Sequence, residues 1–122
     1  MNFNSILIGS ADAKRLVEYY TRLLGDPGFS EGGYTGWQIG SGSVTVGPHS
    51  EVTGNNQQPG RLIWNIECDD VRATFERFQA AGAIVVREPY SMEGSPPETF
   101  IATLADPDGN YFQLASPMSP EG

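Results

Sequence analysis

The chain has 122 residues, 39% of them hydrophobic, and a net charge of −8. That length fits one domain able to bury roughly two-thirds of its unfolded surface, and the acidic balance opposes nucleic acid and anionic membranes as partners. No window offers about 18 consecutive apolar residues, no basic-then-apolar leader opens the chain, and the single Cys68 excludes an internal disulfide; the expectation is a cytoplasmic protein.

Residues 3–9, FNSILIG, read as a short apolar strand. Ser10 and Asp12 then offer N-caps for a helix over about 11–24. Leu16, Tyr20 and Leu23 recur at helical spacing and form its buried stripe; Gly25 ends it and Pro27 prevents its resumption. Residues 26–33 read as a Gly-rich loop. Tyr34–Gly40 and Ser43–Gly47 form a hairpin around Ser41-Gly42. That register pairs Ile39 with Val44, Trp37 with Val46 and Gln38 with Thr45. It gathers Trp37, Ile39, Val44 and Val46 on an apolar face, with Gln38 and Thr45 on the other. Residues 48–60, PHSEVTGNNQQPG, lack apolar periodicity and read as a polar linker.

Leu62–Cys68 is the next strand. Asp69 or Asp70 caps a helix to about Ala81, with Val71, Phe75 and Phe78 buried and Gly82 at its end. Ala83–Arg87 is a strand, followed by the loop EPYSMEGSPPE. Ala102–Ser116, ATLADPDGNYFQLAS, closes the chain as two strands around a tight loop. Pro107 presets one turn dihedral, Gly109 supplies a positive φ, and Asp106, Asp108 and Asn110 hydrogen-bond back to the turn. A five-residue loop pairs Thr103 with Gln113. Alternation then puts Phe112 and Leu114 on one face, Tyr111 and Gln113 on the other.

The two halves repeat. SILIGSADAKRLVEYY aligns with IWNIECDDVRATFERF, Asp12 on Asp70, Ile8 on Ile66 and Tyr20 on Phe78. Each half runs strand, helix, then strands ending in a hairpin. The expected fold is α+β: tandem βαβββ modules whose curved mixed sheets surround a cup. Residues 1–122 form one domain, with module one over about 1–50, the linker over 48–60 and module two over 61–117.

This repeat, with VEYYTRLLG at a helix end and ADPDGNYFQL before the last strand, resembles the vicinal oxygen chelate superfamily: glyoxalase I, extradiol dioxygenases and the bleomycin- and related antibiotic-resistance proteins. The resemblance covers nearly the whole chain. It implies a cup whose metal ligands, usually His or Glu, come from the first and last strands of each module. The matching positions here are Ser5, Ile63, a place near Thr45, and Gln113. Hydroxyls, one amide and an alkyl chain are a poor set for a divalent ion, so no metal and no other cofactor is expected.

The expected cup lining is Ser5, Gln38, Thr45, Ile63, Asn65, Thr103, Tyr111 and Gln113, with Glu67 near its rim and the loop around Tyr90 and Met92 free to close over it. Uncharged, mixed polar and apolar surface with an aromatic ring suits a small organic molecule. The leading expectation is binding without chemistry, as in antibiotic-sequestering relatives. The alternative is a glyoxalase-related lyase or isomerase, or another enzyme with a metal-independent cup, using Glu67 or Tyr111 for proton transfer. The net charge favours neutral or cationic aromatic ligands over anionic thiol conjugates. His49 reads as a loop residue, Cys68 and Trp64 as core. A homodimer is expected from the resemblance.

Overall fold

The computed structural model describes residues 1–91, 94, 96 and 98–117. The chain divides into two compact units, Met1–Asn56 and Gln57–Gly122. Each consists of one helix and a four-stranded sheet, in the orders β1-β4-β3-β2 and β5-β8-β7-β6. Among the described residues no helix is long and apolar enough to cross a membrane.

In the first unit β1 (Ser5–Ser10) leads into α1 (Ala13–Leu24). Asp12 caps the helix, its carboxylate accepting the Arg15 backbone N–H, a contact worth about 1 kcal/mol. Ser10 supports that cap by accepting the Asp12 N–H on its Oγ. Leu16, Tyr20 and Leu23 are buried as expected, with Tyr19 beside them. Each such side chain contributes about 1.5–3 kcal/mol on leaving water. Trp37 closes the far end of the helix, donating its Nε1–H to the Gly25 carbonyl at 2.9 Å.

β2 (Phe29–Glu31) lies where a loop was expected. It is a three-residue edge strand, exposed along its length, so no buried periodicity marks it in the sequence. β3 (Tyr34–Ile39) and β4 (Gly42–Pro48) form the hairpin, but around Gly40-Ser41. Trp37 faces Val44, Gln38 faces Ser43 and Thr45 faces Gly36. Gly40, at φ 58°, supplies the positive φ that the first position of a two-residue hairpin loop requires. The shift from the expected pairing is two residues, so every side chain keeps its expected face.

A single 3₁₀ turn, Pro59–Arg61, precedes the second sheet. β5 (Trp64–Glu67) is shorter than expected and starts after Ile63. α2 (Val71–Ala80) is capped by Asp70, which accepts the Ala73 N–H, and buries Val71, Phe75 and Phe78. β6 (Ile84–Ser91) runs four residues beyond the expected strand end, and its ladder with β7 (Phe100–Ala105) shifts twice, between Val85 and Arg87 and again between Arg87 and Tyr90. Tyr90 therefore belongs to a strand, not to a loop; Met92 lies outside the described residues. Beneath α2, Trp64 stacks on Phe112 with ring centres 5.2 Å apart.

β8 (Tyr111–Ala115) pairs with β7 around the five-residue loop 106–110, and Thr103 faces Gln113. The loop is held by Asp106, a buried carboxylate. Its Oδ1 accepts the backbone N–H groups of Asp108 and Asn110, and both its oxygens accept from the Asn110 side-chain amide. Gly109 takes φ 84° there.

Candidate functional site

Each sheet has one face covered by its own helix and one that its helix leaves open. Opposed residues share a face, so the ladders define what each open face carries. In the second unit, three successive pairings build one row across all four strands: Asn65 beside Gln113, Gln113 beside Thr103, Thr103 beside Arg87. The next row is Glu67, Ala115, Ile101 and Tyr90. Tyr111 sits on the same face beside Ala105.

The row is polar throughout. Gln113 donates its side-chain N–H to the Thr103 Oγ at 3.0 Å. Thr103 is buried and Gln113 half-buried, so each helps hold the other's rotamer. Asn65 and Glu67 are exposed on β5 at one edge. At the other edge the Arg87 guanidinium lies 3.5 Å from the centre of the Tyr90 ring.

The presence of Arg87 on this face was not legible in the sequence. A regular strand continuing from Val85 would put Val86 opposite Thr103. The first register shift inserts one residue, so that Arg87 takes the place and Val86 does not. The second shift brings Tyr90, rather than Pro89, opposite Ile101. Glu88 and Pro89 turn toward α2. There, with Arg72, Phe75, Glu76 and Gln79, they line a cleft of about 300 Å³ on the helix side, away from the residues expected to bind.

In the first unit the corresponding row is Leu7, Thr45, Gly36 and Phe29. Ser5 pairs with Ser43, and Ser43 with Gln38, in the adjacent row. Gln38 is engaged in its own hairpin, donating to the Gly40 carbonyl at 2.7 Å. Gly36 and Gly47 of this face are covered by rings, and Gly9, beside Gly47, by His49. A methyl at Gly36 would fall 2.1 Å from Phe29, and one at Gly47 would fall 2.1 Å from Tyr34. Leu7, Phe29 and Tyr34 are exposed, so this face is largely apolar.

His49 accepts the Glu51 backbone N–H on its Nδ1 at 3.2 Å and packs against Gly9, a loop role. Cys68 is buried with its Sγ toward the Ile66 carbonyl. Burial raises its pKa and outweighs the lowering by the Thr74 hydroxyl and the Arg77 charge, so it is a neutral thiol rather than a nucleophile.

The sequence profile of the glyoxalase-like domain matches residues 5–115. The chain belongs to this family, within the vicinal oxygen chelate superfamily. This glyoxalase-like chain is 32% identical over 114 residues to the probable lactoylglutathione lyase of Vibrio cholerae serotype O1, covering 84% of this chain and 81% of that one. Among solved structures it resembles a glyoxalase-related enzyme from Fulvimarina pelagi, with TM-score 0.71, 21% identity, and 99% and 94% of the two chains covered. A glyoxalase/bleomycin resistance protein from Albidiferax ferrireducens gives TM-score 0.74 at 18% identity, covering 94% and 98%. The α+β class and the tandem-module architecture read from the sequence are those of this fold family.

The positions that the resemblance sets against the family's metal ligands carry side chains that do not suit such an ion. Ser5 and Thr45 present hydroxyls, and Gln113 an amide already bonded to Thr103. Ile63 stands half-buried before β5 and donates nothing. Among the described residues, no three His, Cys, Asp or Glu side chains come together as a metal-binding group. A divalent ion draws on anionic or imidazole ligands, and this set contains none.

Proposed function

We propose that this glyoxalase-like chain binds a small organic, aromatic molecule without a metal and sequesters it unchanged, in the manner of the family's antibiotic-resistance members. The observation that carries the reading is Gln113. At a place where the family's enzymes hold a metal, this chain sets a neutral amide and uses it to build a polar row with Thr103. Such a row fixes the orientation of an organic ligand through hydrogen bonds. A ligand of about 25 heavy atoms at roughly 0.3 kcal/mol per atom reaches a micromolar dissociation constant.

A screen of planar aromatic compounds by thermal shift tests this. Micromolar binders that raise the melting temperature, emerge unchanged from incubation, and bind equally before and after chelator treatment are the expected result. One tightly held metal per chain in elemental analysis, lost in Gln113→Ala, would overturn it.

A second reading is a lyase or isomerase related to glyoxalase, favoured by the 32% identity to the Vibrio cholerae protein. Glu67 and Tyr111, on the same open face, would then move the proton. Turnover of lactoylglutathione or its hemithioacetal precursor, abolished by Glu67→Gln, would establish this reading in place of sequestration.

A further inference from the structure

Arg87 is a cation on a face otherwise free of cationic side chains along its two described rows, placed there only by a bulge. The central carbon of its guanidinium sits over the Tyr90 ring, 3.5 Å from the ring centre. Contact of this kind holds the guanidinium and leaves its edge, with the forked N–H donors, available to a partner. That edge stands at the end of the row that continues through Thr103 and Gln113. A planar carboxylate matches the fork with two parallel hydrogen bonds, which a neutral amide cannot do.

We infer that Arg87, oriented by Tyr90, is the specificity-determining residue of this face and receives a carboxylate carried by the aromatic ligand. The inference rests on the ligand-binding reading above and names the class of molecule that reading takes.

Net charge argues the other way, and distance decides between them. At physiological ionic strength charges are screened beyond about 8 Å. Glu67, the carboxylate in the neighbouring row, is on β5, at the opposite edge of the sheet from Arg87. Three strand spacings of about 4.8 Å put it roughly 14 Å away, beyond that length. Glu88, adjacent in sequence, faces the helix side with Arg72 and Glu76. The −8 of the whole chain slows an arriving anion, whereas contact with Arg87 governs how long it stays.

The test uses the full chain and matched pairs by calorimetry: benzoate and benzamide, 2-naphthoate and 2-naphthamide, indole-3-acetate and indole-3-acetamide. The wild type is expected to bind the better carboxylates about fivefold or more tightly than their amides, with the preference shrinking as salt rises. Arg87→Gln should remove the preference, weakening the carboxylates more than their amides. Arg87→Lys should restore only part of it, since a point charge lacks the fork. Tyr90→Phe should keep the preference and Tyr90→Leu reduce it, which separates orientation of Arg87 from the Tyr90 hydroxyl. If wild type prefers the amides, or Arg87→Gln keeps the wild-type preference, the role of Arg87 is overturned while ligand binding stands. If no carboxylate and no amide binds at millimolar concentration, the ligand-binding reading fails and this inference fails with it.

Discussion

The same cross-strand row is built twice in this chain and furnished in opposite ways. In the first unit it is Leu7, Thr45, Gly36 and Phe29; in the second it is Asn65, Gln113, Thr103 and Arg87. The ladders share an order, a parallel pair followed by antiparallel ones, but the last pair is regular in the first unit and shifted twice in the second. The first row saves space at Gly36 and lays the Phe29 ring over it, which yields apolar contact area. The second fills every place with a hydrogen-bonding group and ends on a charge. One strand order thus supports either non-directional or directional recognition, and side-chain choice together with the register shifts of β6 decides which. The connecting hairpins differ similarly: a two-residue loop with Gly40 in the first unit, a five-residue loop tied to buried Asp106 in the second.

The hairpins give the sharpest way to break this comparison. Asp106→Ala removes the acceptor for the N–H groups of Asp108 and Asn110 in a buried loop. It should cost about 3 kcal/mol or more and lower the melting temperature by about 10 °C. Gly40→Ala in the other hairpin meets open space and only the strain of positive φ, about 1 kcal/mol. Equal losses in the two variants by denaturant titration would show that the loops are not held differently.

The rows come next. Gln113→Leu should weaken an aromatic ligand about tenfold, because it removes the amide and leaves Thr103 unpaired. Thr45→Val, at the matching place in the first unit, should change affinity less than threefold. Calorimetry that finds the reverse order would move recognition to the first unit.

A smaller effect follows from Gly36→Ala. The added methyl collides with the ring of Phe29, a half-exposed side chain free to swing out. Stability should fall by less than about 1 kcal/mol, while quantitative binding of an apolar dye to the first face should decline.

The smallest concerns Cys68. Burial raises its pKa, so the fold prefers the neutral thiol. Its contribution is complete below the unfolded pKa, about 8.5, and is lost as pH rises through the folded value. Wild type should therefore lose stability relative to Cys68→Ala on the alkaline side only. Iodoacetamide should label Cys68 in the folded chain far more slowly than in denaturant. Identical pH profiles for the two proteins would show that burial does not hold this thiol.

Much of the architecture was legible because its causes are local. Asp12 and Asp70 cap helices through side-chain contacts three residues away. Leu16, Tyr20 and Leu23, and Val71, Phe75 and Phe78, mark buried stripes by period. The loop of Asp106 to Asn110 sets its own length, and that length pairs Thr103 with Gln113 without reference to anything distant. Alternation then assigns faces, and it survived even where the first hairpin slipped, because a slip of two residues preserves parity.

What the tertiary structure alone decided lies in places where neighbours overrule that alternation. β2 exists because β3 offers it an edge to pair with; its own residues bury nothing and signal nothing. In β6 nothing in the sequence marks the first register shift, and only Pro89, which has no N–H for a ladder, hints at the second. Those shifts are set by the ladder with β7 on one side and by α2, against which Glu88 and Pro89 turn, on the other. They exchange Val86 for Arg87 on the open face, and so the one cation of the polar row was invisible to residue counting. Periodicity is a property of a single strand, whereas a bulge is a compromise between a strand and its neighbours, and only the folded sheet contains both.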